Sequence, residues 1–270
     1  MSTNIQPRSA GNRRWHRSRI LNAWVDSLTV QEIVEELDDG ILFTLNPDHL
    51  YWLQRNPDFA SAYRKATIVS SDSKYVYWGL AFLGRAIRQK SSGSDIVPAY
   101  WRHHANNPGV TIFMLGAKPG VAQTAREALN SKAGRELVVG AHGPSMNFVN
   151  DPDEIDRVLE MIERSGANVL LVGLGAPKQE IWISSVRHRL PQVRVMMGIG
   201  ATIDYEAGAV KRAPVALRRL GLEWAYRVAS EPRRYLMRYV RSSKFLWWML
   251  MDRLGRYKDP FAATAAPQAR

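Results

Sequence analysis

The sequence predicts an α/β fold: a mainly parallel sheet with helices on both faces, followed by a helical, basic appendage. Two features point there. Short apolar runs alternate with stretches of helical period from residue 41 to residue 198. Such β-α-β alternation places crossover helices over parallel strands. After Asp204 the texture changes, with no strand-like run, many arginines, and Trp224, Trp247 and Trp248.

Taken in order, the first strand is 41–45, an apolar run closed by Asn46-Pro47. A helix is expected over 48–64, then a strand over 67–70 that ends in hydroxyl residues. Helices at 75–87 and 96–106 precede a strand at 110–115. The turn Gly116–Gly120 leads into a helix at 119–131 and a strand at 137–140. Asp151 before Pro152, with Glu154 three positions on, opens a helix at 153–165. Strand 168–173, helix 178–189 and strand 193–198 complete a Rossmann-like core over 19–205. Residues 206–258 form the appendage, broken near Glu231-Pro232 because proline cannot continue a helix. A flexible arm is expected over 1–18 and a disordered Ala/Pro tail over 259–270.

At 270 residues the chain can bury a large core, and its composition is that of a globular protein. It has no cysteine, which rules out disulfides and thiolate metal sites. The formal net charge of +12 is loaded at the ends. Residues 1–20 hold five arginines and no acid, and residues 205–260 hold thirteen Lys/Arg against five Asp/Glu. That distribution suits an anionic partner such as a membrane surface, a diphosphate or nucleic acid. The Arg-rich N-terminus leads into no long apolar region, and the run 245–251 is far short of the ~20 residues that span a bilayer. The expected location is cytoplasmic and peripheral. Arg234, Arg238 and Arg241 share one helical face beside the tryptophans, which suits an interfacial helix or a basic surface packed on the core.

Ligands in open α/β sheets gather at the carboxyl ends of strands. Five loops lie there. Thr44 and Asn46 follow the first strand and suit a sugar hydroxyl, or equally the backbone of a turn. Asp72 follows the second: a lone carboxylate among serines, fit for a general base or for the cap of the next helix. Pro177 opens the helix that begins Lys178-Gln179-Glu180. A helix start presents free N–H groups to an anion, and Gln179 and Glu180 add donors and acceptors for a base or sugar. The turn 198–204 ends in Asp204, and Gly116–Gly120 is either a tight turn or half of a dinucleotide fingerprint.

No metal site is expected, because Asp151-Pro-Asp153 reads as a helix start and the six histidines lack ligand spacing. Two rival classes stay open: a nucleotide-dependent oxidoreductase, without the full glycine fingerprint, and a nucleic-acid binder using the basic ends.

In combination and order, these loops resemble the bacterial WecG/TagA/CpsF glycosyltransferases, glycosyltransferase family 26. The matching stretches are Thr44-Leu-Asn46-Pro47-Asp48-His49, Gly93-Ser-Asp95, Ile112 to Gly120, Val172 to Glu180, and Gly198 to Asp204 with Gly208 and Arg212-Ala-Pro214. Gly221 to Arg227 and Glu231-Pro232-Arg233 complete them. The similarity covers about residues 20–240. It implies inverting, metal-independent transfer of a hexosyl or N-acetylhexosaminyl group from a UDP-sugar, with no cofactor. The implied acceptor is a polyprenyl-diphosphate-linked saccharide at the inner membrane face, in surface or exopolysaccharide synthesis, with no nucleic acid involved. By the same resemblance Asp72 is the catalytic aspartate and Thr44 an active-site threonine. Gln179 and Asp204 contact the nucleotide, and Arg212, Arg227 and Arg233 engage diphosphate. One departure is Ser73, where the family usually has glycine.

Overall fold

The computed structural model describes residues 15–262, apart from the side chains of Arg219 and Arg234. Residues 1–14 and 263–270, most of the expected arm and tail, lie outside the described residues. The arm ends earlier than its charge suggests. β1 (Arg17–Ile20) alternates outward and inward and pairs antiparallel with β2 (Ala23–Asp26). The buried Asp26 carboxylate explains this, since it accepts from Trp15 Nε1 at 2.7 Å and holds Arg17 at 2.9 Å. A short α1 (Val30–Glu36) follows, closed at its start by a capping box between Thr29 and Glu32.

Next come β3 (Gly40–Leu45), α2 (Pro47–Trp52), α3 (Pro57–Lys65), β4 (Ile68–Ser71), α4 (Lys74–Phe82) and α5 (Gly93–His103). The single helix expected over 48–64 is therefore two. Pro57 has no N–H to donate, and Asn56 caps α3 instead by accepting from Phe59 N. β5 (Ile112–Gly116), α6 (Val121–Ala133), β6 (Val138–His142), α7 (Pro152–Arg164), β7 (Val169–Gly173), α8 (Lys178–Val186) and β8 (Val195–Gly198) complete the alternation. As read from the sequence, Asp151 caps α7, its side chain accepting from Glu154 N.

The main sheet has six strands in the order β4-β3-β8-β7-β5-β6, every neighbouring pair parallel. Side chains alternate between two cores. Ile41, Phe43 and Leu45 of β3 enter one with Phe59, Trp182 and Ile183. Leu42 faces the other with Ile33, Ile96 and Leu129. Helices thus cover both faces, and all six strands end on one edge.

Among the described residues five helices follow β8: α9 (Thr202–Glu206), α10 (Val215–Arg219), α11 (Glu223–Ser230), α12 (Pro232–Ser242) and α13 (Phe245–Arg253). The last two are docked on the core. Phe245 and Met249 of α13 are buried, and Asp252 accepts from Arg85 Nη1 at 2.8 Å and from Leu21 N. The basic face expected to meet lipid is partly spent on this docking. Arg238 and Arg241 hold the buried carboxylate of Asp48, in the first turn of α2, at 2.9 and 3.0 Å. A carboxylate so enclosed needs cations close by, and these two are the nearest supply. Among the described residues no helix is long and apolar enough to cross a membrane.

Candidate active site

Glycines let the strand ends crowd together. Gly116 closes β5 at φ 134, and a Cβ there would meet the Gly173 backbone at 2.6 Å. A Cβ on Gly173, in turn, would lie 2.7 Å from the Gly200 carbonyl oxygen. The Gly116–Gly120 segment is thus explained as a tight turn beside β7.

β3 delivers Thr44 to this edge. Its side chain is buried, and Oγ1 donates to the Gly198 carbonyl at 3.5 Å. Asn46 caps α2, its Oδ1 accepting from Asp48 N and His49 N at 3.0 and 3.1 Å. The turn reading of Asn46 is therefore realised.

Asp72 extends the ladder one step past β4, its N–H donating to the Leu45 carbonyl at 2.8 Å. It does not cap α4. Ser73 does so, its hydroxyl accepting from Tyr75 N at 3.0 Å. Ser73 has φ −147, an extended conformation open to any residue, so the position makes no demand for glycine. Relieved of capping, the half-buried Asp72 carboxyl is pushed up to about 6. Burial is the chief cause, Glu223 and Asp95 add to it, and Lys90 and Arg227 oppose it.

A charged girdle surrounds Asp72. The segment before α5 runs along β4, with Ser91 N donating to the Ser71 carbonyl at 2.8 Å. That contact brings Lys90 alongside. Asp95 accepts from Lys90 Nζ at 3.0 Å and from Arg212 Nη2 at 2.7 Å, and its carboxyl is held well below the usual range. Burial works against that shift, and Lys90, the Ser92 hydroxyl and Arg212 together outweigh it. Arg212 also donates to the Ser94 carbonyl. Arg227, on α11, pairs with Glu223 at 2.7 Å and lies over the rings of Tyr205 and Tyr235, 5.8 Å from each centroid. Trp224 Nε1 donates to Tyr75 Oη at 2.9 Å and ties α11 to α4.

On the other side stands the turn before α8, which contains a cis Ala176–Pro177 peptide. Gln179 is buried. Its Oε1 accepts from Gly175 N and Gly200 N, both at 3.2 Å, and its Nε2 donates to Glu180 Oε1 at 2.7 Å. One amide therefore joins the glycine turns after β7 and β8. Glu180 is fully buried beneath it and presents nothing to solvent, because the first turn of α8 faces inward there. Its Oε1 lies 3.7 Å from His49 Nε2, and its carboxyl is pushed up to about 7 by burial. Lys178 Nζ donates to the Met146 carbonyl at 3.2 Å. Asp204 sits in α9, below the 198–201 turn. Arg233 is exposed in the first turn of α12.

The strand ends thus bring Thr44, Asn46, Asp72, Gln179 and Asp204 to one edge, and α11 adds Arg227 to Asp72's surroundings. Sequence reasoning gave no role to Lys90, Asp95, Tyr205 or Glu223. Asp95 had a signal, since Ser92-x-x-Asp95 before an apolar helix forms a capping box. Lys90 had none, because only the crossover along β4 brings it near.

An open-edged carboxyl that ionises near neutrality, ringed by guanidinium and ammonium groups, can accept a proton from a substrate while adjacent cations bind an anion. The family model for glycosyl transferases of the WecG/TagA/CpsF family matches residues 18–259, from the first strand through the last helix. The chain belongs to the WecG/TagA/CpsF family of glycosyltransferases.

Proposed function

We propose that this glycosyltransferase moves a sugar from a UDP-sugar to a polyprenyl-diphosphate-linked saccharide, with inversion and without a divalent metal, on the inner face of the cell membrane. The observation that carries this reading is Asp72: uncapped, half-buried, raised to about 6, and flanked by Lys90 and Arg227. In the proposed step, the acceptor hydroxyl gives its proton to Asp72 as its oxygen attacks the anomeric carbon. The bond from that carbon to the UDP oxygen breaks on the opposite face. A carboxylate with a pKa near 6 is mostly ionised at neutral pH and still basic enough to assist.

UDP departs as an anion. Arg227, with Arg212 and Arg233, stabilises its phosphates, the task a metal performs in other enzymes. Guanidinium groups match phosphate oxygens in bidentate fashion. Thr44, with the Asn46 amide nitrogen that the α2 cap does not use, orients the sugar, Lys178 and Asp204 bind the nucleotide side, and the buried Gln179 holds the two glycine turns that frame it. Glu180 serves that side from below, through the Gln179 amide, rather than by touching the donor. Exposed apolar residues of the last two helices, among them Met237, Trp247 and Leu250, support apposition to a membrane.

The test is transfer by the purified chain from a panel of UDP-sugars to a lipid-diphosphate saccharide, with and without a chelator. Asp72→Asn is expected to abolish turnover and leave UDP-sugar binding within about threefold of wild type. Sustained turnover by that variant would remove Asp72 as the base. Activity lost to the chelator and restored by manganese would remove the metal-free mechanism.

A further inference from the structure

A concave site is lined by residues other than those that surround Asp72. It is a groove of about 290 Å³ between the end of α2 and the strap after α13, lined by Arg55, Trp248, Met251, Arg256, Tyr257 and Lys258. Arg55 is nine positions beyond Asn46, in the turn that follows α2. The wall is fixed, because Tyr257 Oη donates to Gln54 Oε1 at 2.6 Å.

Its charge is one-sided. Arg55, Arg256 and Lys258 have no acidic partner among the described residues. The nearby acids are turned elsewhere, Asp252 to Arg85 and Leu21, and Asp259 to Asn22 and Phe261. Three cations beside a small hollow define an anion site.

The neighbouring edge of α13 says which anion. Trp247, Leu250 and Leu254, at i, i+3 and i+7, form one exposed apolar stripe. Trp248 and Met251, one residue later in each case, turn about 100° to line the groove. An apolar stripe beside a cationic hollow matches a molecule whose phosphate is joined to hydrocarbon.

We propose that this groove seats the phosphate of an anionic phospholipid headgroup, held by Arg55, Arg256 and Lys258, while the stripe of Trp247, Leu250 and Leu254 lies in the acyl region. The proposal rests on the reading of the tail as membrane-apposed, and names the lipid and its site.

The test is flotation of the full chain with phosphatidylcholine vesicles, plain or containing phosphatidylglycerol. Arg256→Gln/Lys258→Gln is expected to weaken binding to the anionic vesicles at least about tenfold. Lys244→Gln/Arg253→Gln removes the same charge from the same tail outside the groove and should weaken it less than about threefold. Equal losses from the two pairs, or none from the first, would overturn the proposal. A companion titration with glycerol 1-phosphate follows the Trp248 indole by NMR. A saturable shift is expected, absent in the groove variant. Wild-type chain that floats with vesicles but gives no such shift rejects the groove alone. Wild-type chain that floats with no vesicle rejects the membrane reading, and the lipid with it.

Discussion

At the scale of single residues, the two raised carboxyls do different work. As the proposed base, Asp72 at about 6 should make activity pH-dependent. The base is the ionised form, so log kcat/KM should fall with unit slope as pH drops below about 6 and level off above about 7. A profile flat from pH 5 to 8 would exclude Asp72 as the titrating group. Glu180, raised to about 7 by burial, affects stability instead. Its folded pKa lies above its unfolded one, so the native state binds the extra proton between about 4.5 and about 7. Stability from this group is full below the unfolded value and is lost as pH rises through the folded one. Glu180→Gln keeps an acceptor for Gln179 Nε2 and removes the titration. Its Tm advantage over wild type should grow between about pH 5 and about pH 7 and then plateau, as thermal melts across pH would show. Residue types alone showed Asp72 to be chemically apt, but not whether it or Ser73 caps α4. That depends on which oxygen reaches Tyr75 N.

At the scale of elements, periodicity revealed the parallel core, and the change of texture after Asp204 revealed the helical tail with its break at Glu231-Pro232. All six main-sheet strands lie where apolar runs precede turn residues, since strands buried on both faces read as continuous apolar segments. The hairpin β1–β2 escaped because four-residue strands carrying Arg17 and Arg19 look like a basic arm. The split between α2 and α3 was visible in Asn56-Pro57, a cap followed by a residue without a donor. The tail is the element whose meaning changed most. Its arginines 238 and 241 are spent on Asp48, and beside its other cations the outward face carries many apolar residues: Leu236, Met237 and Val240 on α12, then Leu246, Trp247 and Leu250 on α13. Trp247→Glu/Leu250→Glu should therefore move the protein from vesicle-bound to free in flotation, with Tm within about 2 °C of wild type, because both side chains are solvent-exposed. Unchanged flotation would remove α13 as the contact.

At the scale of the molecule, ion pairs between distant segments bind the tail to the sheet domain. Asp252 joins α13 to Arg85 and the hairpin, and Asp48 joins α12 to α2. The Asp48 side chain is 4% exposed, whereas Arg238 and Arg241 are 31% and 38% exposed. The two ways of breaking that pair are consequently unequal. Asp48→Ala leaves cations that can turn to water and should cost about 1 kcal/mol. Arg238→Ala/Arg241→Ala leaves a carboxylate enclosed alone and should cost about 3 kcal/mol or more, read by denaturant melts. Equal costs would mean that water reaches Asp48 freely.

The Asp48 clamp also bears on how shortened chains behave. Asp48 lies two positions past Asn46, so the segment that follows Thr44 is gripped by arginines from almost two hundred residues away. Cutting the protein after Ser230 strips both guanidiniums from an interred charge close to the strand-end site. Such a fragment should be inactive and fragile for reasons unrelated to acceptor recognition. Pairing the cut with Asp48→Asn should recover only the share of stability that the counter-ions supply and leave the loss from the buried Phe245 and Met249 of α13, separating the tail's work as a counter-ion from its work as a packed helix.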